Sequence, residues 1–297
     1  MKITQKVLLS VARELIRGKT KRAEKLVASL PEGSPASWSG VFQKLIAQAK
    51  ALESGTLERG AFSIFAKGNS KLPFWSFSSM AILDCPGRGG GSGGCSSFCY
   101  SLKSWRNPNA AGRQLCNSML LRYACGRDLI RAEFAKLKTE TVRLYVDGDF
   151  PDKETLAFWM DTIRTRPEVS VYGYSKSWVE FMALQLSGFD WPRNYLLNLS
   201  GGSRHPEPLR RAMESLPVTR GEFLAVPVDR VHLKNHAYQS RRNAGFRAYA
   251  KQVRENSPGT PFVCSGTCGD CLTIRGKNVH ACGYEGMRGK AIAIGTH

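Results

Sequence analysis

Four cysteines near the C-terminus, Cys264, Cys268, Cys271 and Cys282, have the type and spacing of metal ligands. The first three follow a C-x3-C-x2-C pattern in a glycine-bearing loop, and glycine allows the tight path that turns the sulfurs toward one point. Cys282, eleven residues beyond Cys271, completes a four-sulfur shell suited to zinc or to an iron–sulfur cluster. Zinc ribbons favour C-x2-C knuckles, so the wider first gap points to a [4Fe–4S] cluster, with zinc as the alternative. His280 stands close enough in sequence to replace one thiolate.

A second group, Cys85, Cys95 and Cys99, lies in LDCPGRGGGSGGCSSFCYS. The run from Gly87 to Gly94 frees the backbone to fold round a cluster or to cradle an anion with its N–H groups. No Gly-Lys-Ser/Thr follows, so this is not a phosphate-binding P-loop. These thiols either share one centre with the C-terminal group or form another. Cys116 and Cys125 fall among Leu115, Met119, Leu120, Tyr123 and Ala124 and read as small buried hydrophobes.

Other reactive side chains gather where strands are expected to end. VRLYVDGDF places Asp147 and Asp149 on one side of a strand by period-two alternation, where paired carboxylates bind a divalent metal or act as a general base. Helix and turn capping is the competing role for such aspartates. In GYSKSW, Lys176 can neutralise an anionic ligand and Ser177 can cap the following helix. Ser200, Ser203, Arg204 and His205 offer a phosphate-friendly set. The segment 232–254 mixes Lys234, Arg241, Arg242, Arg247 and Lys251 with Tyr238, Phe246 and Tyr249, a pattern that binds phosphates and stacks on unpaired bases. An amphipathic helix that buries its aromatics and solvates its charges produces the same pattern.

The charge balance agrees with a polyanionic partner. Lys plus Arg number 43 against 24 for Asp plus Glu, a formal net charge of +19, and nucleic acid, DNA before RNA, is the expected partner. No apolar run approaches the roughly 20 residues that cross a bilayer, and charges at Arg13, Glu14 and Arg17 interrupt the N-terminal apolar stretch. A cytoplasmic protein is expected, in which nine cysteines serve metal or redox chemistry rather than disulfides.

The elements that must position these residues form two regions. Residues 1–58 read as a helical extension with a basic face (Lys19, Lys21, Arg22, Lys25) and a turn-rich linker at 31–37. Residues 59–297 read as one α/β cysteine-rich metal-binding domain. Strand-like runs at 62–66, 74–83, 142–150, 169–177, 194–202, 221–228 and 290–297 alternate with helical stretches at 115–137, 153–164, 178–186, 206–214 and 237–255. Such alternation predicts βα units in a mainly parallel sheet or partial (β/α) barrel, whose sites gather at the carboxyl ends of strands.

Over residues 60–297 the ordered motifs CPG…C…CY, VDGDF, GYSKSW and the C-terminal Cys-Gly-x-Cys loop resemble the "gene product 88" family of phages and plasmids. That resemblance implies a protein of a mobile genetic element. A more distant likeness is to radical S-adenosylmethionine enzymes, whose partial barrel carries a three-cysteine loop after its first strand and a glycine-rich strand end after its second. It implies a cluster at Cys85, Cys95 and Cys99 and adenosylmethionine held near Asp147 and Asp149. The loop here is spaced C-x9-C-x3-C, unlike the C-x3-C-x2-C of that superfamily.

Overall fold

The computed structural model describes residues 5–30, 36–91, 94–233, 241, 243–268, 271–274 and 277–296. Strands β1 (Trp75–Ser76), β2 (Thr141–Leu144), β3 (Ser170–Ser175), β4 (Tyr195–Ser200), β5 (Thr219–Pro227), β6 (Phe262–Val263) and β9 (Ile292–Thr296) form one seven-stranded sheet in the order β1-β2-β3-β4-β5-β9-β6. Every neighbouring pair is parallel. The first five strands stand side by side in chain order, so the sheet is wound in one direction and left open at β1 and β6. A separate antiparallel hairpin joins β7 (Leu272–Ile274) to β8 (Lys277–Val279).

Both faces of the sheet are covered, which is why its strands are apolar almost throughout. Alternate residues face opposite ways. Val142, Leu144, Val171, Tyr195, Leu197 and Leu199 belong to the main core. There they meet α7 (Lys153–Arg164), through Leu156, Trp159 and Met160, and α8 (Trp178–Leu186), through Phe181 and Leu184. Tyr172, Leu196, Phe262 and Ile292 point the other way, into a second cluster with Cys271, Ala281, Cys282 and Met287. The cysteine-rich tail therefore covers the open face of the sheet. A third cluster seats Phe246, Tyr249 and Val253 of α10 (Ala244–Asn256) on β5, β6 and β9.

The N-terminal helices α1 (Gln5–Ile16), α2 (Thr20–Ala28) and α3 (Ala36–Glu53) contribute Leu8, Val11, Ala23, Phe42 and Leu45 to the main core. They share it with Leu115 and Met119 of α5 (Pro108–Leu120).

Several sequence expectations need correction. The run 62–66 makes a single bridge, Ala66 to Ser76, and its Phe65 is spent packing on Phe77, Phe134 and Trp159. Within 74–83 only Trp75–Ser76 is strand, and Ile82 adopts φ 70° as the chain turns away. The helix expected at 115–137 is two, α5 and α6 (Ala124–Ala135). The second folds back so closely that a Cβ on Gly126 would stand 2.3 Å from the Leu120 carbonyl oxygen. Strands β6, β7 and β8 are too short to announce themselves by periodicity.

The start of α7 is set by Asp152, whose carboxylate accepts from the Thr155 N–H at 2.7 Å. Asp152→Ala is expected to cost about 1 kcal/mol in urea denaturation, the usual loss of an N-cap.

Candidate functional site

The second cluster brings the four C-terminal cysteines into one neighbourhood: Cys271 and Cys282 are buried in it, and Cys264 and Cys268 pack against it half-buried. Burial pushes the Cys264 thiol well up, and the nearby charges of Cys282, Cys268 and Cys271 push the same way. Cys282 is pushed up to about 12, chiefly by burial. Cys271 is also raised, mainly by burial, with Arg241 acting weakly against it. Backbone N–H groups already point at two of the sulfurs: Gly266 N–H donates to Cys264 Sγ at 3.3 Å, and Ala281 N–H to Cys271 Sγ at 3.2 Å. Gly269 and Asp270, between Cys268 and Cys271, lie outside the described residues. Among the described residues, no three His, Cys, Asp or Glu side chains form a group able to hold a metal ion, so the thiols are neighbours and not a closed shell.

Two arginines lie close enough to these sulfurs to feel their charge. Arg220 is fully buried and donates to Asn198 Oδ1 at 2.7 Å, to the Glu222 carbonyl at 2.8 Å, and to the Met287 and Lys290 carbonyls. All four partners are neutral, and burial pulls its pKa down while the Cys282 charge opposes that. Arg143 lies over the Tyr174 ring, 4.5 Å from the centroid. The Tyr172 hydroxyl is buried beside Cys268, and burial first and the Cys268 charge second hold its proton on. His280 is wedged between Phe74 and Tyr172, with 5.0 Å between ring centroids in each case, and burial lowers its pKa to about 4.

Sequence reading missed Arg143, Arg220, Tyr172 and Tyr174. Their signal was a charge inside an apolar strand, Val142-Arg143-Leu144, and two tyrosines two residues apart in β3.

The carboxyl ends of the strands carry the second set of residues. The alternation expected to place Asp147 and Asp149 on one side does not hold, because β2 ends at Leu144, and Tyr145 (φ 53°) and Gly148 (φ 80°) break it. Asp149 is fixed by three donors: Phe150 N–H at 2.8 Å, Ser175 Oγ at 2.6 Å and Lys176 N–H at 2.7 Å. It thereby ties the β2 end to the β3 end. Asp147 accepts from Gln114 Nε2 at 2.9 Å on one oxygen, and its other oxygen is buried without a partner. Lys176 extends its ammonium to Ser200 Oγ at 2.6 Å. Ser177 does not cap α8; its hydroxyl donates to the Phe150 carbonyl at 2.7 Å.

Burial raises the Asp147 pKa above 3.8, against weaker opposing help from Ser101 and Arg143. The unfolded chain therefore ionises this carboxyl first as pH rises, and stability falls from pH 3.8 up to the folded pKa. Asp147→Asn removes that loss, so a gain on the order of 1 kcal/mol is expected at pH 7 and none at pH 3. Urea denaturation at both pH values is the check. A destabilised variant at pH 7 would show that Arg143 holds the carboxylate ionised.

The glycine loop lies across these strand ends. Gly89 and Cys95 both donate through N–H to the Gly202 carbonyl, at 3.1 and 3.0 Å, and Arg204 N–H donates to the Gly87 carbonyl at 3.1 Å. Cys85 is half-buried, and its thiol is raised by burial first and by Asp149 second. Cys85 and Cys99 pack on the main core rather than on the cluster that holds the C-terminal cysteines.

The basic segment divides. Arg241 turns inward, 4.4 Å over the Phe262 ring and 5.1 Å from Phe246, and donates to the Val263 carbonyl at 3.1 Å. Arg247 and Lys251 are exposed on α10, whose Phe246 and Tyr249 are buried, so these aromatics cannot stack on bases. Lys234 and Arg242 lie outside the described residues. Cys116 is buried, with its thiol 3.0 Å from Gln48 Oε1.

A one-way parallel α/β sheet with helices on one face and a thiol-rich tail on the other defines the class of protein. More narrowly, the chain belongs to the gene product 88 family, which matches it over residues 44–283, from within α3 to just past Cys282. No curated protein and no solved structure matches it. No described helix is long and apolar enough to cross a membrane.

Proposed function

We propose that the protein carries a [4Fe–4S] cluster on Cys264, Cys268, Cys271 and Cys282 and binds nucleic acid. The observation that carries the cluster is Arg220. A fully buried guanidinium held only by neutral acceptors needs an anion nearby, because isolated buried charge is costly. A metal centre ringed by four thiolates is net negative, and Cys282 is the first charge that Arg220 feels. The N–H groups of Gly266 and Ala281 donate to the Cys264 and Cys271 sulfurs, and hydrogen bonds of that kind tune the potential of thiolate-held clusters. Zinc is the second reading, favoured by the short β7–β8 hairpin between Cys271 and Cys282.

For nucleic acid, the supporting features are the net charge of +19 and the exposed cations of α2 and α10. If chemistry follows, Asp147 with its unpartnered oxygen is the acid–base candidate and Lys176 the anion-binding one. Asp149 acts as a tie between strand ends.

Anaerobic purification with iron, sulfide and zinc analysis tests the metal. Stoichiometric iron and sulfide with visible absorbance is expected; colourless protein with one zinc moves the site to the second reading, and neither metal overturns both. Binding to single- and double-stranded DNA across a salt series tests the partner, with affinity falling steeply as salt rises. Absence of binding at low salt removes nucleic acid.

A further inference from the structure

Between the glycine loop and the end of β4 lies a cleft of ≈ 330 Å³, lined by Cys85, Arg88 and Arg204, with Pro86 and Pro151 among its walls. Its two arginines are far apart in sequence but are held on one small piece of antiparallel backbone. Arg88 bridges Ser203, Arg204 N–H donates to the Gly87 carbonyl at 3.1 Å, and Ser203 Oγ donates to the same carbonyl at 3.2 Å. The backbone beneath both guanidiniums is therefore fixed, and both side chains are exposed.

Neither arginine has a carboxylate partner among the described residues. Among the described residues, the Arg88 guanidinium donates to the Ile82 carbonyl. Glu180 is raised chiefly by its own burial, with the Arg204 charge acting against that rise.

We infer that this cleft binds a phosphate group through Arg88 and Arg204. Two forked guanidiniums on a fixed frame match the oxygens of a phosphate. The volume is at the small end of ligand sites, enough for a phosphate and part of its ester. The phosphate comes either from a small phosphorylated molecule or from a nucleic-acid strand. The inference does not depend on the metal.

Cys85 supplies the reporter. The full-length protein is alkylated with iodoacetamide, and the Cys85 peptide is followed by mass spectrometry. Inorganic phosphate, adenosine monophosphate and a short single-stranded DNA are the probes, each repeated by calorimetry. At least one probe is expected to slow Cys85 alkylation several-fold. Arg88→Gln and Arg204→Gln are each expected to weaken that probe roughly tenfold, the usual worth of a charge-assisted hydrogen bond. Protection by the mononucleotide alone assigns a small phosphorylated ligand. Protection by the DNA, with a salt slope that shrinks in Arg204→Gln, assigns the strand. No protection at millimolar concentrations, or affinities unchanged in both variants, overturns the site. Metal content is read on the same samples, so failure here is separable from failure of the cluster.

Discussion

Cys282→Ala is expected to strip the metal and to lower stability far more than the lost side chain accounts for. The sulfur is buried at 5% exposure, beside Cys268 and Cys271, and under Arg220. As a ligand of the proposed centre it would contribute metal-binding energy, which is in large part folding energy. Losing one of four ligands should remove at least about 3 kcal/mol, a drop on the order of 5 °C in Tm for a chain of this size. Cys116→Ala is the internal control. That cysteine is at least as buried, at 0% exposure, but it sits in the helical core against Gln48. Its loss should cost about 1 kcal/mol of packing and leave iron or zinc in place. Iron and zinc stoichiometry alongside thermal melts reads both variants. If the two behave alike and neither changes metal content, Cys282 is an ordinary core thiol and the centre is not there.

How much of this was legible depended on the length of each element. Helices at Lys153–Arg164 and Trp178–Leu186 stand where the sequence put them, the first through its amphipathic stripe and the second as an apolar stretch following a strand end. β3, β4 and β5 were visible as apolar runs. Where tertiary contacts override local pattern, the reading failed. Phe62 to Ala66 looks like a strand because its aromatics are bound for the core, yet its backbone bonds to the sheet only at Ala66. The pairing of Asp147 with Asp149 assumed that the strand continued past Leu144, and a positive φ at Tyr145 ended it. The aromatics around Arg247 read as a stacking surface, whereas Phe246 and Tyr249 fill the third cluster. Arg220 was illegible as a site residue. Only the fold places its guanidinium under Asn198, Met287 and Lys290 and next to Cys282.

The glycine loop is the other place where one atom should have a large effect. Gly87→Ala is expected to unseat the loop from the strand ends. A Cβ at this position would lie 1.5 Å from the Lys176 carbonyl oxygen and 2.3 Å from its carbon. Both are backbone atoms, so no rotamer change relieves the overlap. The constraint is one of space, since Gly87 is not among the glycines at positive φ. Lys176 cannot retreat easily, because its N–H is bonded to Asp149 and its ammonium to Ser200. The loop must move, breaking the Arg204 N–H and Ser203 Oγ bonds to the Gly87 carbonyl. Overpacking of this kind costs typically 1–3 kcal/mol, and backbone against backbone belongs at or above the upper end, so about 3 kcal/mol is expected. Gly91→Ala serves as a contrast. Its φ of 74° strains an alanine, but no atom lies within 4 Å of the new Cβ, so a cost of about 1 kcal/mol is expected. Urea denaturation ranks the two variants, and the alkylation rate of Cys85 shows whether the loop has lifted. A Gly87→Ala protein as stable as its parent, with Cys85 no more reactive, would mean that the loop does not rest on β3.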